Sequence, residues 1–501
     1  MFFACMHQNN EVSDLQMRHS EYYKNVLSKI DELYIKGEKE AIAGRELFDT
    51  EWANIRSGQK WAEDAALLNS GEKVSKNKLI SEMEPILHLC SAYASEGAYA
   101  IGMLLNPRER IHWLETALLA SHLLKDAKNE CAHLSNIGIA YVQVGEFHKA
   151  IDIFEKRLSL SSKIGYLLGV SNAIANLGVA YLAIGDTSRA IELFKQHLTF
   201  VRLNSDRRGE AKDLGNLGLA YADLSKPLEA IDYCEQALKI FRDIRDSEGE
   251  GAALGNLGLA YSKLGDIHKA IEYFEKHLAI ASDIGDRWGK RKALINLGNS
   301  YADECKNSEA IEYYEKALEL IQQAEDRNEE ENILENLGCT YYDSGSYLKA
   351  IDCYKQALII AREIGNKKFE ENNLNSLAGA YYALGDYSKA IDYYEMALTA
   401  VRMIGNRQEE ENIMGNLGNS HALLDNTMKS IEFYEKALSI AREIRDRHGE
   451  GNGLLNRSLS WNKLGQRTKA IELAKAALAI FEQIESPHAE AVRKKLAEWC
   501  A

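Results

Sequence analysis

Apolar residues recur along most of this 501-residue chain with helical spacing, in paired stripes. Near the middle of the chain the first stripe is Leu254, Leu257, Tyr261 and Leu264, and the second is Ala270, Ile271, Phe274 and Leu278. Spacings of three and four residues put each stripe on one face of an α-helix. Gly265 and Asp266 separate the two stripes, and Gly285 and Asp286 follow the second. The pattern therefore predicts two amphipathic helices with a short turn after each.

This helix pair is repeated every 40 residues without an insertion. An asparagine marks the same place in the first helix of eight copies, and Ser376 replaces it in the ninth. The markers are Asn136, Asn176, Asn216, Asn256, Asn296, Asn336, Asn416 and Asn456. A unit of two helices buries its apolar face only against its neighbours, so tandem copies predict a solenoid. We therefore predict an all-α fold in which residues 126–485 form nine helix-turn-helix units.

The residues of each unit resemble a known repeat. Leu217, Gly218 and Tyr221 match Leu-Gly-x-x-Tyr, and Ala190 with Phe194 matches Ala-x-x-x-aromatic, the pattern of the tetratricopeptide repeat. The resemblance implies a right-handed α-solenoid that binds proteins. The units exceed the usual length of about 34 residues and lack the closing proline. In their length, and in the turn at residues 285–287, they are similar to the Pins-type polarity scaffolds.

Residues 1–125 do not follow the repeat, and we predict a separate helical segment there. Helices are expected at 15–34, 41–68, 80–94 and 111–124. Asn106 and Pro107 fit the cap and first turn of the last of these, which resembles half of a degenerate repeat. We expect it to stack against the first regular unit. At the other end, residues 486–501 are predicted to form a capping helix that starts after Pro487.

Part of this N-terminal segment resembles the helical arm of bacterial signal-transduction ATPases of the NB-ARC type. The resemblance lies in residues 19–23 and 48–62, which include Trp52 and Trp61. Such ATPases hold nucleotide with a Gly-x-x-x-x-Gly-Lys-Ser/Thr loop. The chain has no such sequence. The resemblance therefore implies a protein that has the sensor arm of such ATPases but lacks the ATPase module.

Composition narrows the possible partners. A net charge of −15 and the lack of a basic stripe argue against nucleic acid, and no segment has the apolar length of a membrane span. The 8 cysteines show neither zinc-ligand nor disulfide spacing, and residues 1–6 are too short for a signal peptide, so a cytoplasmic location is predicted. The acidic runs 329–331 and 409–411 are interpreted as favourable charges at helix N-termini.

The sequence contains no recognisable catalytic motif, and its 13 histidines are scattered. We predict a protein that is not an enzyme, with no catalytic residues, no metal site and no cofactor. His88 and Cys90 are expected to face different sides of a helix. The frequent tyrosines, such as Tyr314 and Tyr394, are interpreted as core residues.

The candidate binding residues lie on the first helix of each unit. A second residue lies four positions before each marker asparagine, on the same helix face. It is another asparagine in the later repeats and a lysine in two earlier repeats. The predicted peptide-binding residues are Asn172, Asn176, Lys212, Asn216, Asn256, Lys292, Asn296, Asn299, Asn332, Asn336, Asn372, Asn412, Asn416, Asn419, Asn452 and Asn456. A carboxamide both donates and accepts, so a row of them can hold a peptide backbone.

The same asparagines are also compatible with a structural role, in which they bond to neighbouring helices and support the stack. We favour binding because the doubled amides exceed what such support requires. The predicted function is a scaffold or adaptor that binds a protein or peptide partner in a concave groove. The alternative is a regulatory or sensor subunit of a separately encoded signalling ATPase or protease. The partner and the oligomeric state are not predicted.

Overall fold

The computed structural model describes residues 2–36, 38–68, 76–322 and 327–500, which form 24 helices and no strand. Contacts divide the chain into two units, residues 1–285 and 286–501. Unit 1 contains α1 (Phe2–Lys36), α2 (Glu38–Leu68), α3 (Lys76–Glu96), α4 (Ala98–Leu104), α5 (Pro107–Leu123), α6 (Ala127–Gln143), α7 (Phe147–Lys163), α8 (Leu167–Ala183), α9 (Thr187–Leu203), α10 (Arg207–Asp223), α11 (Pro227–Asp243), α12 (Ser247–Leu264) and α13 (Ile267–Asp283).

Unit 2 contains α14 (Arg287–Asp303), α15 (Asn307–Gln322), α16 (Arg327–Asp343), α17 (Tyr347–Ile364), α18 (Lys367–Ala383), α19 (Tyr387–Ile404), α20 (Arg407–Leu423), α21 (Thr427–Ile444), α22 (Arg447–Lys463), α23 (Arg467–Gln483) and α24 (His488–Cys500). The predicted all-α solenoid is confirmed. From α6 onward, even-numbered helices up to α22 are the first helices of the repeats, and each packs against the second helix that follows it.

The turns have the predicted residues. Gly265 ends α12 with a φ of 86°, a left-handed conformation that glycine adopts without a steric cost. Asp266 then caps α13, where its side chain accepts a hydrogen bond from the Lys269 backbone N–H at 3.2 Å. The same change from glycine to a capping aspartate occurs at Gly285 and Asp286. Each turn therefore ends one helix and starts the next within two residues.

Small residues let the two helices of a repeat cross closely. A Cβ atom added to Gly258 in α12 would lie 2.4 Å from the ring of Phe274 in α13, so only glycine fits there. Ala260 and Ala270 are fully buried beside this contact. The same glycine and aromatic pair joins Gly418 of α20 to Tyr434 of α21. Glycine in the first helix and an aromatic ring in the second therefore fix how closely the two helices cross.

The N-terminal helices of unit 1 pack around an aromatic cluster. Trp52 stacks between Phe48 and Trp113, and the Tyr93 ring meets Trp113 edge-on. Asn106 caps α5 by accepting from the Arg108 N–H at 2.9 Å, with Pro107 in the first turn, as predicted. Because α5 packs against both α3 and α6, it continues the stack of the repeats toward the N-terminus.

Within each unit, neighbouring first helices approach one another more closely than neighbouring second helices do. Direct contacts join α6 to α8, α8 to α10 and α10 to α12 in unit 1, and α14 to α16, α16 to α18 and α20 to α22 in unit 2. A stack with its first helices closer together than its second helices curves toward the first. The surface formed by the first helices, called the first-helix face below, is therefore the concave side of each unit.

The last helix covers the apolar end of unit 2. Val492 of α24 is fully buried, and Leu496 and Trp499 are each 9% exposed, in a cluster with Phe481. Arg467 fixes the end of the helix by donating to the carbonyl oxygens of residues 498 and 499. Helix α24 lies at the end of unit 2, and its function as a cap stays a prediction.

Candidate functional site

The predicted binding residues form a stripe along the first-helix face. Each marker asparagine is half-buried, and so is Ser376. The residue four positions earlier is exposed at Asn172, Lys212, Lys292, Asn332 and Asn412, and half-buried at Asn372 and Asn452. The stripe therefore has an inner row and an outer row of polar side chains on the concave side of each unit.

In unit 2 the structure brings several of these amides together. The Asn336 amide nitrogen donates to Asn332 at 3.3 Å on its own helix and to Asn299 at 3.5 Å on the preceding first helix. The Asn299 oxygen also accepts from the Tyr314 hydroxyl at 2.6 Å. Asn419 makes the equivalent contact with Tyr434 at 2.8 Å. These amides are thus oriented by contacts below them, while the row remains accessible to a ligand.

Further along the same face, carboxylates and rings hold the outer row. Asn412 donates to Glu409 at 3.1 Å, and Asn375 of the preceding first helix donates to the same carboxylate at 2.8 Å. Asn452 lies 3.1 Å from the His448 ring nitrogen. Lys292 lies 3.6 Å from Glu329, so its charge is partly neutralised. The face of unit 2 is consequently a row of amides interrupted by acidic groups.

In unit 1 the predicted residues divide between two roles. The Asn256 amide donates to the Gly215 carbonyl oxygen on the preceding first helix at 3.3 Å, which is the structural role left open by the sequence. Asn172 and Lys212 instead line a cavity of about 760 Å³ between α8, α9 and α10. The amide row is therefore not uniform. In unit 1 some of the predicted residues line a cavity, whereas in unit 2 they form a row of hydrogen-bonded amides.

Three leucines that are exposed to solvent line this cavity. Leu203 is 82% exposed, Leu167 69% and Leu168 54%. Beneath them His197 pairs with Asp213 at 2.7 Å, and burial raises the pKa of Asp213 while the hydrogen bond from His197 opposes that shift. Exposed leucines clustered in a concavity are typical of a docking site for apolar side chains. The repeat pattern did not reveal this cluster.

Buried glutamates are the second feature that sequence reasoning missed. Glu331, Glu371 and Glu411 occupy one repeat position and are at most 7% exposed. Glu331 accepts a 2.5 Å hydrogen bond from Asn373, and its other oxygen has no partner. The first-turn interpretation of the acidic runs holds for residues 329–330 and 409–410 but is wrong for the third residue of each run. The small residues Ser171, Ala211 and Gly251 at this position in other repeats indicated burial.

Replacement of Glu331 is expected to stabilise the protein increasingly as pH rises. Burial raises the pKa of Glu331 to about 7. As pH rises, the unfolded chain therefore loses this proton at a lower pH than the folded chain does. The free energy of unfolding falls as a result between about pH 4.5 and 7. Glu331→Gln keeps a neutral side chain that can still accept from Asn373. At pH 8 the free energy of unfolding of the variant should exceed that of the parent by about 3 kcal/mol, and at pH 4 the two should be similar.

Urea unfolding followed by circular dichroism at both pH values checks this. Glu319→Gln, an exposed residue on α15, serves as the control and should change little at either pH. A Glu331→Gln variant whose advantage does not grow with pH would mean that Glu331 is ionised in the folded state.

Comparison with known proteins establishes the family. A family model described as tetratricopeptide repeat matches residues 129–202, 212–283, 291–363, 329–403 and 409–483. The chain belongs to the tetratricopeptide repeat family. The predicted membership is confirmed, and with it the general role of such repeats as modules for protein interaction. No curated protein sequence matches the chain.

Two solved structures show how much of this tetratricopeptide repeat protein shares a known fold. One is a signal transduction ATPase with numerous domains and a tetratricopeptide repeat sensor from Pyrococcus horikoshii, with 19% identity over 95% of this chain and 74% of that chain and a TM-score of 0.57. The other is the apo form of RapI, with 13% identity over 66% of this chain and 97% of that chain and a TM-score of 0.52. At these identities the likeness concerns the fold alone.

Two features are absent among the described residues. None of their helices is long and apolar enough to cross a lipid bilayer. Their His, Cys, Asp and Glu side chains form no group of three or more that could hold a metal ion.

Proposed function

We propose that this tetratricopeptide repeat protein is an adaptor whose first-helix face binds an extended segment of a protein partner through its backbone. The observation that supports this most is the linked amide row of unit 2, in which Asn336 contacts Asn332 and Asn299. A carboxamide presents one acceptor and two donor hydrogens, so each side chain can bond within the row and to a ligand together. Peptide N–H and C=O groups are the complementary partners.

The cavity of unit 1 supplies what a backbone ladder lacks, which is selectivity for side chains. Its exposed leucines fit an apolar side chain, and Lys212 and Arg208 lie on its rim. Arg208 is held by Asp246 at 2.6 Å and Glu248 at 3.1 Å, whereas Lys212 is exposed. An apolar residue next to an acidic one is therefore the sequence we propose for this cavity.

A regulatory subunit of a separate signalling ATPase is the second candidate function. The observation that favours it is the fold shared with an ATPase that carries a tetratricopeptide repeat sensor, which spans 95% of this chain. In that role ligand binding must favour one curvature of the stack over another. A static adaptor needs no such change.

The proposed backbone recognition can be tested with peptides selected from a random displayed library against the full chain. Each peptide bond of a selected peptide is N-methylated in turn, which removes one N–H donor and leaves the side chains in place. We expect several positions at which methylation weakens binding roughly tenfold, because a lost hydrogen bond leaves a carboxamide unpaired.

Alanine replacement of the peptide side chains is the matching control in the same titrations. If alanine substitutions abolish binding while N-methylation has no effect at any position, recognition runs through side chains and the amide row is not the binding element.

A further inference from the structure

A second cavity in unit 1 lies where the non-repeating N-terminal segment meets the first repeat. It has a volume of about 340 Å³ and is formed by α3, α4, α5 and α6. Its walls include the buried side chains of Ala94, Ile101 and Leu114. Arg110, Asn136 and Gln143 supply its polar groups. A volume of this size is at the lower end of the range for small-molecule sites, which starts near 300 Å³.

Arg110 is the residue that gives this cavity its chemistry. The side chain is only 6% exposed, and burial lowers the pKa of its guanidinium. One terminal nitrogen donates to the Gly102 carbonyl oxygen at 3.0 Å, and the other donates to the Gln143 side-chain oxygen. The Nε atom is buried without any hydrogen-bond partner. Of the five N–H donors that a guanidinium carries, most therefore remain unused.

The described residues provide no carboxylate for this cation. Its hydrogen-bond partners are a backbone carbonyl and a neutral amide, and the nearby Glu109 pairs with Arg56 instead, at 3.2 Å. A buried charge without a counter-ion is costly, whereas a buried guanidinium that meets a carboxylate forms two parallel hydrogen bonds. The chain thus keeps an uncompensated charge at the wall of an empty space large enough for a ligand.

We propose that this cavity binds a single carboxylate attached to a small apolar body, with Arg110 as the anion-binding residue and Gln143 and Asn136 as amide partners. The apolar walls favour a branched aliphatic group beside the carboxylate. Among the described residues that line the cavity, Arg110 is the one cation, so a monoanion fits better than a doubly charged phosphate. This site is separate from the amide row of unit 2, and the proposal does not depend on it.

The carboxylate could belong to a free acid or to the C-terminus of a peptide, and the probes separate these sources. Isovalerate and acetyl-Ala-Ala-Leu with a free C-terminus are titrated into the full chain by calorimetry, each against its own amide. We expect at least one carboxylate to bind, and to bind at least tenfold more tightly than its amide. Isovalerate binding identifies a small-acid site, and binding of the peptide alone identifies capture of a chain end. If no carboxylate exceeds its amide, the proposal is wrong.

Two variants test the assignment of Arg110. Arg110→Gln should reduce carboxylate binding at least tenfold, while Arg108→Gln removes the same charge from an exposed position of α5 and should not. Gln143→Glu places a carboxylate against Arg110 and should block the site even if Arg110→Gln does not fold. Ala132→Glu adds the same charge to α6 outside the cavity as its control. Undiminished binding by Gln143→Glu would overturn the proposal.

Discussion

Deletion of residues 486–501 is expected to destabilise unit 2 by roughly 6 kcal/mol. The deletion removes the buried side chains of Val492, Leu496 and Trp499, each of which contributes about 1.5 to 3 kcal/mol through burial. It also exposes Phe481, which is fully buried in the intact chain. An end of a repeat stack without a polar cover presents an apolar surface to other molecules. We therefore expect a lower thermal midpoint together with self-association.

Thermal unfolding and light scattering after size exclusion measure these two effects. The double variant Lys494→Ala and Lys495→Ala changes only exposed residues of the same helix, and its free energy of unfolding should stay within about 0.5 kcal/mol of that of the parent. A deletion variant that remains monomeric and as stable as the parent would show that α24 does not function as a cap.

The regular part of the fold could be predicted from the sequence because every repeat carries the same local signals. Asp266 and Asp286 cap helices through contacts made within three residues, and Gly258 fits against Phe274 of the same helix pair. Such information is local and is copied from unit to unit. The short turns and the pairing of helices follow from it, and the structure shows both.

The candidate sites depend on contacts that the repeat pattern does not contain. Glu331 is buried because its helix packs beside Asn373, 42 residues away. Arg110 on α5 donates a hydrogen bond to Gln143 on α6, where the non-repeating segment adjoins the first repeat. Glu331 shares its repeat position with Glu371 and Glu411 but not with the other copies, and Arg110 lies in the non-repeating segment, so the common repeat pattern indicated neither residue. Departures from the repeat at buried positions were the available signal.

The predicted amide row illustrates the same limit. The sequence placed Asn256 and Asn336 at equivalent positions, and both lie on the first-helix face. Asn256 bonds to a backbone carbonyl of the preceding helix, whereas Asn336 bonds to two other carboxamides. The difference arises from their neighbours, since Gly215 exposes its backbone and Asn299 presents a side chain. Equivalent positions in a repeat therefore share a location without sharing a role.

Removal of three amides from unit 2 is expected to weaken peptide binding more than a hundredfold. The triple variant combines Asn336→Ala, Asn412→Ala and Asn416→Ala. Each lost carboxamide costs about 1 kcal/mol of binding free energy, so the total loss is about 3 kcal/mol if the three side chains act independently. Single substitutions should weaken binding only severalfold. The fold should survive, because Glu409 still accepts from Asn375 after Asn412 is removed. Calorimetry with a library-selected peptide measures the affinity, and circular dichroism measures the helix content.

The double variant Asn426→Ala and Asn462→Ala is the control for this loss, since it removes one exposed and one half-buried carboxamide that both lie outside the predicted row. It should bind the peptide as the parent does.

If the triple variant unfolds, the asparagines support the stack and their structural role is the correct one. If it stays folded and binds with parental affinity, the amide row is not the binding element. Leu167→Ser and Leu203→Ser in the cavity of unit 1 are then the substitutions that should abolish binding, because those exposed leucines are the other contact proposed for a partner.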